Sequence, residues 1–251
     1  MSRKKVDQFD LDEIYRDLRT NIEFSQVDKR VQVLNILSTF PNEGKSTVSQ
    51  NLARILAAKY KKVLLIDCDL RSPSIHRRFH VSNQIGLTNI LNVFDPESKA
   101  SVTNYPGIQK IQGRNGEEFS FISAGHRVPN PSEMIGSKRF AAFIEACRKE
   151  YEYIVLDCPP ISVTSDAIPL SSVADGTLYV VSAKDTDKRK AKAAINDLQR
   201  NGIKILGIIL NKTDSENAKG YDYNYKYRYY YSDSDGNYKY KKYKKTKYSK
   251  E

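Results

Sequence analysis

Six short runs, at residues 31–37, 62–66, 119–123, 153–156, 177–181 and 204–210, are apolar at nearly every position. A strand that shows no alternation is covered on both faces, which is the condition of a parallel sheet held between two layers of helix. Helical patterns at 46–60, 132–149, 165–173 and 186–201 lie between and beside these runs. The alternation predicts an α/β domain with a doubly wound, mostly parallel sheet and right-handed crossovers. Ligands of such sheets bind beyond the carboxyl ends of the strands, so the residues that follow each run carry most of the functional information.

The two ends of the chain differ from its middle. Residues 10–24 read as an amphipathic helix with Leu11, Ile14, Leu18 and Ile22 on one face. From residue 219 onward there is no Leu, Ile, Val, Phe or Met, while eleven of the 17 tyrosines cluster there among Lys, Asp, Ser and Gly. Such a segment has too little apolar surface to offset the entropy of ordering and is expected to be disordered. The chain therefore divides into an N-terminal helical region (1–30), a core (31–215) and a tyrosine-rich tail (216–251). The net charge is +11, and residues 219–251 contribute ten basic and four acidic side chains to it. A nearly balanced domain with a basic tail follows, rather than a uniformly basic one. No apolar run approaches the roughly 18 residues of a membrane span. The first residues are charged and polar rather than a signal peptide, and the three cysteines are too dispersed for a disulfide framework or zinc module. A cytoplasmic protein is expected.

Residues 38–47 read Ser-Thr-Phe-Pro-Asn-Glu-Gly-Lys-Ser-Thr, between the first run and the first long helix. That strand–loop–helix context is what a phosphate-binding loop requires. Backbone amides of Asn42, Glu43, Gly44, Lys45, Ser46 and Thr47 would face phosphate at a helix N-terminus, with Lys45 adding charge and the Ser46 hydroxyl meeting Mg²⁺. Thr39 stands where the ordinary pattern has its first glycine, so the loop is a variant. Lys45 is expected in an exposed loop, where its replacement should spare the fold. Two further strand ends are acidic. Asp67 and Asp69 close the second run with Arg71 next in the period-2 series, and Asp157 closes the fourth. Carboxylates at the end of an apolar strand are costly unless a cation or hydrogen-bond network meets them, and Mg²⁺ beside a phosphate loop is the natural partner. His76, His80 and His126 lack metal-ligand company, and Cys68 and Cys158 read as small packing residues.

Taken together, the variant loop, Asp67-x-Asp69-x-Arg71, Asp157-x-x-Pro160 and the tyrosine cluster resemble the bacterial tyrosine kinases of capsule and exopolysaccharide synthesis. The chain looks like the cytoplasmic kinase subunit of the Gram-positive, two-chain type. The resemblance implies ATP and Mg²⁺ as cofactors and a P-loop fold with Walker A, A′ and B motifs. It implies an active site of Lys45, Ser46, Asp67, Asp69 and Asp157, with Asp157 acting on Mg²⁺ through water. Asp67, or alternatively Asp69, would take the tyrosine proton. Arg71 would touch acceptor or phosphate, and Asn211 would read adenine. Glu13, Arg16 and Arg19 resemble the family's oligomerisation motif, which implies a homo-oligomeric ring. Asn42 stands where many relatives have glycine, and asparagine tolerates the positive φ the position needs.

The resemblance also makes the tail the substrate. Its acceptors would be Tyr221, Tyr223, Tyr225, Tyr227, Tyr229, Tyr230, Tyr231, Tyr238, Tyr240, Tyr243 and Tyr248, labelled in trans. A membrane activator, the polysaccharide co-polymerase subunit, would recruit the kinase to the inner face of the membrane, and a tyrosine phosphatase would reset it. Two other readings compete. A partition-type ATPase switch of the MinD/ParA kind would share the sheet and loop, but that type carries a second lysine near residues 40–42 and has no use for clustered tyrosines. A tail that stacks on nucleic acid would need no ATP, and beside a kinase core no nucleic-acid partner is expected.

Overall fold

The computed structural model describes residues 8–25, 30–98, 100–164 and 166–213. Two units divide the chain, Met1–Lys212 and Thr213–Glu251, and every element below belongs to the first. The tail and its eleven tyrosines lie outside the described residues.

Helix α1 (Gln8–Phe24) precedes strand β1 (Val33–Ser38), helix α2 (Lys45–Ala57) and strand β2 (Val63–Asp67). Two short helices follow, α3 (Ile75–Phe79) and α4 (Leu87–Val93), then the hairpin β3 (Ile108–Gln112) and β4 (Glu118–Ile122). The second half contains α5 (Pro131–Ile135), α6 (Lys138–Glu150), β5 (Tyr153–Asp157), α7 (Ala167–Ser172), β6 (Gly176–Ser182), α8 (Lys188–Arg200) and β7 (Ile205–Asn211). The seven strands form one sheet in the order β3-β4-β2-β5-β1-β6-β7. Every neighbouring pair is parallel except β3 with β4. The doubly wound sheet expected from the apolar runs is present.

Strand β1 explains why those runs are continuous. Val33 and Leu37 enter the core that α4, α6, α7 and α8 cover, while Leu34 and Ile36 enter the one under α1 and α2. Both faces are dry, so both sets of side chains must be apolar. Three features were not legible as elements. β3 is an edge strand of mixed polarity, and α3 and α4 span only five and seven residues, too short for a helical period. The single helix expected at 132–149 is two, because the chain stops at Gly136 and restarts where the Ser137 hydroxyl accepts the Phe140 amide at 3.1 Å.

Helix α1 docks on a different face from the one its pattern suggests. Asp12, Tyr15 and Ile22 are buried, whereas Leu11 and Ile14 are 42% and 61% exposed. The cause is Arg54 of α2, which pairs with Asp12 and, at 2.9 Å, with Glu117 at the foot of β4. Arg19 donates to the Ile55 carbonyl at 2.9 Å, and Glu23 accepts from Lys59 and the Tyr60 hydroxyl. Burying Leu11 and Ile14 instead would forfeit this network.

Arg54 therefore ties α1, α2 and the β3–β4 hairpin together. Arg54→Leu is expected to lower the unfolding free energy by about 2–3 kcal/mol, since it strands two largely buried carboxylates. The Arg54 hydrogen bond holds the Asp12 carboxyl below its ordinary range. In Glu117 burial pushes upward, but backbone amides and Arg54 outweigh it and the carboxyl is also lowered. A carboxylate depressed in the folded state stabilises above its unfolded pKa and loses that contribution as pH falls through the folded one. Urea titrations should show wild type losing stability below about pH 4, with a flatter acid limb in Arg54→Leu.

Candidate active site

The phosphate-loop and strand-end residues converge at the carboxyl edge of β1, β2, β5 and β7. From Ser38 the chain turns through residues 39–44 into α2. Thr39, in place of glycine, is buried, and its hydroxyl meets the Tyr179 hydroxyl at 2.9 Å. Asn42 adopts φ 64°, the left-handed conformation that asparagine tolerates. Gly44 has φ 102°, and a Cβ there would lie 1.8 Å from Asn211 Nδ2, so only glycine fits. That same Asn211 amide donates to the Glu43 carbonyl at 2.9 Å. The Glu43 side chain turns inward, accepting the Phe40 amide at 2.8 Å and the Thr186 hydroxyl. Glu43 thus braces the loop, and toward a ligand it offers only its backbone.

Lys45 is the first residue of α2 and is 7% exposed. The expectation of an exposed loop position is corrected: the helix begins one residue earlier than its pattern suggests and draws Lys45 toward Asp157. Ser46 donates to Asp157 Oδ2 at 2.7 Å, and Ser49, three residues on along α2, donates to Oδ1 at 2.8 Å. Asp157 lies opposite Asp67 in the register of β5 and β2. Burial, with the Asp157 and Asp69 carboxylates beside it, pushes the Asp67 carboxyl well above the ordinary range. Asp157 is also raised by burial, against the opposing pull of Lys45 and the two serine hydroxyls. Asp67 accepts amides of Asp69, Ser74 and Ile75 at 3.2–3.3 Å. Asp69 accepts the Ser72 amide at 2.9 Å and faces the cavity.

That cavity, of about 590 Å³, is lined by Asn42, Gly44, Lys45, Ser46, Thr47, Asp69, Arg71 and Asn211, together with residues the motifs did not reveal. Asp67 and Asp157 are buried behind it. Arg71 is held at its rim, donating to the Ser132 hydroxyl at 2.8 Å and lying 3.7 Å from Asp166. Arg78 donates to the Thr47 hydroxyl at 2.8 Å. Ser49, Thr186 and Arg78 were missed by sequence reasoning. Only Ser49 left a signal, its helical spacing from Ser46. Cys68 and Cys158 are buried beside the carboxylates, and burial pushes both thiols up, as befits packing residues. Of the three residues expected to act in oligomerisation, Glu13 and Arg16 are exposed, but Arg19 is engaged with α2 of its own chain.

A glycine-braced loop at a helix N-terminus, a lysine and buried strand-end carboxylates form a nucleotide phosphate site. Residues 35–231 match the family model described as the CobQ/CobB/MinD/ParA nucleotide binding domain. The tyrosine-protein kinase YwqD of Bacillus subtilis is 39% identical over 83% of this chain and 85% of its own length. The tyrosine-protein kinase CpsD of Streptococcus agalactiae is 34% identical over 82% of this chain and 86% of its own. Among solved structures, the chimerical protein CapA2B2 superposes with a TM-score of 0.70 at 32% identity, over 80% of this chain and 84% of that one. A ParA family ATPase from Chlorobium tepidum superposes at 0.61 with 19% identity, which shows a shared fold and no more. The loop, the paired strand ends and these relatives agree: the chain belongs to the bacterial tyrosine kinases, within the CobQ/CobB/MinD/ParA class of nucleotide-binding domains.

Proposed function

We propose that this kinase transfers the γ-phosphoryl group of ATP to the tyrosines of residues 221–248 on neighbouring copies of itself. The observation that carries the site assignment is the buried Asp67–Asp157 pair beside Lys45 and Ser46. Two buried carboxylates side by side, each with its proton affinity raised, make a place for a cation. Mg²⁺ is bound by one or two carboxylates together with nucleotide phosphates rather than by a full protein cage, and these carboxylates with the Ser46 hydroxyl fit that donor set. Ser46 would hold the ion, with Asp67 and Asp157 around it, and its chemistry there is to neutralise charge on the phosphate oxygens.

The rest is alignment. Loop amides from Asn42 to Thr47 and the Lys45 ammonium hold the phosphates. Asn211, which lines the cavity, would meet the base. The phenol oxygen forms the new bond to phosphorus as the bond to the ADP oxygen breaks, and the phenol proton passes to a carboxylate. Asp67 is the proposed acceptor of that proton, and Asp69 the alternative. Asp69, at the cavity wall, orients the incoming tyrosine.

Exposed Leu11 and Ile14 beside exposed Glu13 and Arg16 support the reading that α1 joins copies in a ring, with Arg19 holding the helix in place. No helix among the described residues is long and apolar enough to cross a membrane. A membrane co-polymerase subunit of the capsule pathway is the proposed recruiter of the kinase to the cytoplasmic face, and a tyrosine phosphatase the proposed antagonist. To test transfer in trans, a Lys45→Met chain with its full tail is mixed with an active chain truncated after Asn217. Phosphate should appear on the inactive chain's tail. An unlabelled inactive chain, with wild type labelling itself at a concentration-independent rate, would establish transfer in cis.

A further inference from the structure

Past Asp69 the nucleotide cavity opens into a second groove of about 620 Å³, which shares Arg71, Ser72 and Arg77 with it. His76 of α3 and the loop after β4, with His126 and Arg127, complete its wall. Three arginines and two histidines line the groove, and no Asp or Glu does among the described residues. Arg77 donates to the Pro73 carbonyl at 3.0 Å, which fixes the arm and leaves most of the guanidinium edge uncommitted. Arg127 is exposed and makes no ion pair among the described residues. His76 Nδ1 is buried and makes no hydrogen bond among them. Arg71 is shared with Asp166, but among the described residues Arg77 and Arg127 face no carboxylate across the groove, and guanidinium groups so placed suit multiply charged oxyanions, phosphate most of all.

Position decides which phosphate. Those of the nucleotide belong on the loop of residues 42–47, at the N-terminus of α2. The groove instead joins the cavity at the Asp69–Arg71 end, where an acceptor tyrosine has to enter. We infer that this groove binds a phosphotyrosine already formed, two residues from the tyrosine being phosphorylated. The inference rests on the kinase reading for its second half and on the groove's chemistry for its first.

The acceptor sequence supplies tyrosines two residues apart. Tyr221, Tyr223, Tyr225, Tyr227 and Tyr229 occupy alternate positions. An extended chain sets alternate side chains on one side, roughly 6.6 Å apart. Before labelling, residues 221–229 hold Lys226 and Arg228 against Asp222 and offer the basic groove no net attraction. One phosphate, with a charge of about −1.5 to −2, reverses that locally. Labelling should therefore start slowly and accelerate, each phosphate recruiting the next tyrosine.

The test uses a peptide of residues 222–226, Asp-Tyr-Asn-Tyr-Lys, unphosphorylated and in both singly phosphorylated forms. Binding is measured by fluorescence anisotropy on the full chain, dephosphorylated and without nucleotide. At least one phosphorylated form should bind about tenfold tighter than the unphosphorylated peptide, the gain expected of one charge-assisted contact. Arg127→Ala and Arg127→Glu should remove that gain. With Mg-ATP, the free tyrosine of the primed peptide should show a KM lower by about tenfold, and the Arg127 variants should lose the KM advantage while keeping kcat. Equal affinity for primed and unprimed peptides, or a preference that survives both variants, overturns the inference. So does Arg127-dependent binding to phosphatidylserine–phosphatidylcholine vesicles without phosphopeptide binding, which would make the groove a membrane contact. Tight phosphopeptide binding without labelling would sustain the groove and count against the kinase reading instead.

Discussion

Asp67→Asn is expected to lower tyrosine phosphorylation by about 10²–10³-fold or more while raising the melting temperature of the nucleotide-free protein. The two effects share one cause. Asp67 is fully buried, and Asp157 stands opposite it on the next strand. Folding brings the two carboxylates together out of water, and burial with that neighbour pushes the Asp67 carboxyl well up. An asparagine occupies the same volume and keeps most of the backbone amide contacts but carries no charge. The stability gain should be on the order of 1 kcal/mol, read as a rise of a few degrees in a thermal melt. The rate falls because the neutral amide can neither take the phenol proton nor oppose a cation's charge. A variant with unchanged melting temperature and unchanged rate would reduce Asp67 to a structural cap.

Lys45→Met should match it in rate and oppose it in stability. The lysine is nearly buried at the start of α2, and its charge is the main counterweight to Asp157. Methionine fills the space but leaves the carboxylates uncompensated, so the melting temperature should drop by a few degrees, about 1–2 kcal/mol. Phosphorylation should fall by about 10³-fold, since the ammonium that meets the charge on the transferring group is lost. Circular dichroism should still report a folded α/β protein. The opposite signs in stability distinguish a balance of buried charge from simple damage to the fold. A Lys45→Met chain as active as wild type would remove the loop from the mechanism.

These expectations divide along the line between what the sequence carries locally and what only the fold assembles. Continuous apolar runs announce the sheet because a strand covered on both faces has no polar position to spare. The loop at residues 38–47, Asp67, Asp69 and Asp157 are legible because each follows such a run, and a parallel sheet gathers those ends. Register, however, is a property of two strands at once. Nothing in either segment places Asp67 opposite Asp157, yet that pairing sets the electrostatics of the site. The inward turn of Glu43 toward Thr186 is likewise a contact across 143 positions of sequence. Helix α1 shows how an aliphatic pattern can mislead: one arginine on α2 with two acidic partners decides which face is buried. The groove beyond Arg71 draws on α3 and the loop after β4, which only the fold brings together.

The central claim is that a nucleotide site of this fold phosphorylates tyrosine. Purified, dephosphorylated full-length protein incubated with Mg-ATP should accumulate phosphotyrosine that maps by mass spectrometry to residues 221–248, and the Lys45→Met protein should accumulate none. ATP hydrolysed to ADP with no phosphotyrosine anywhere in the chain would contradict the claim and leave a nucleotide switch on the same sheet.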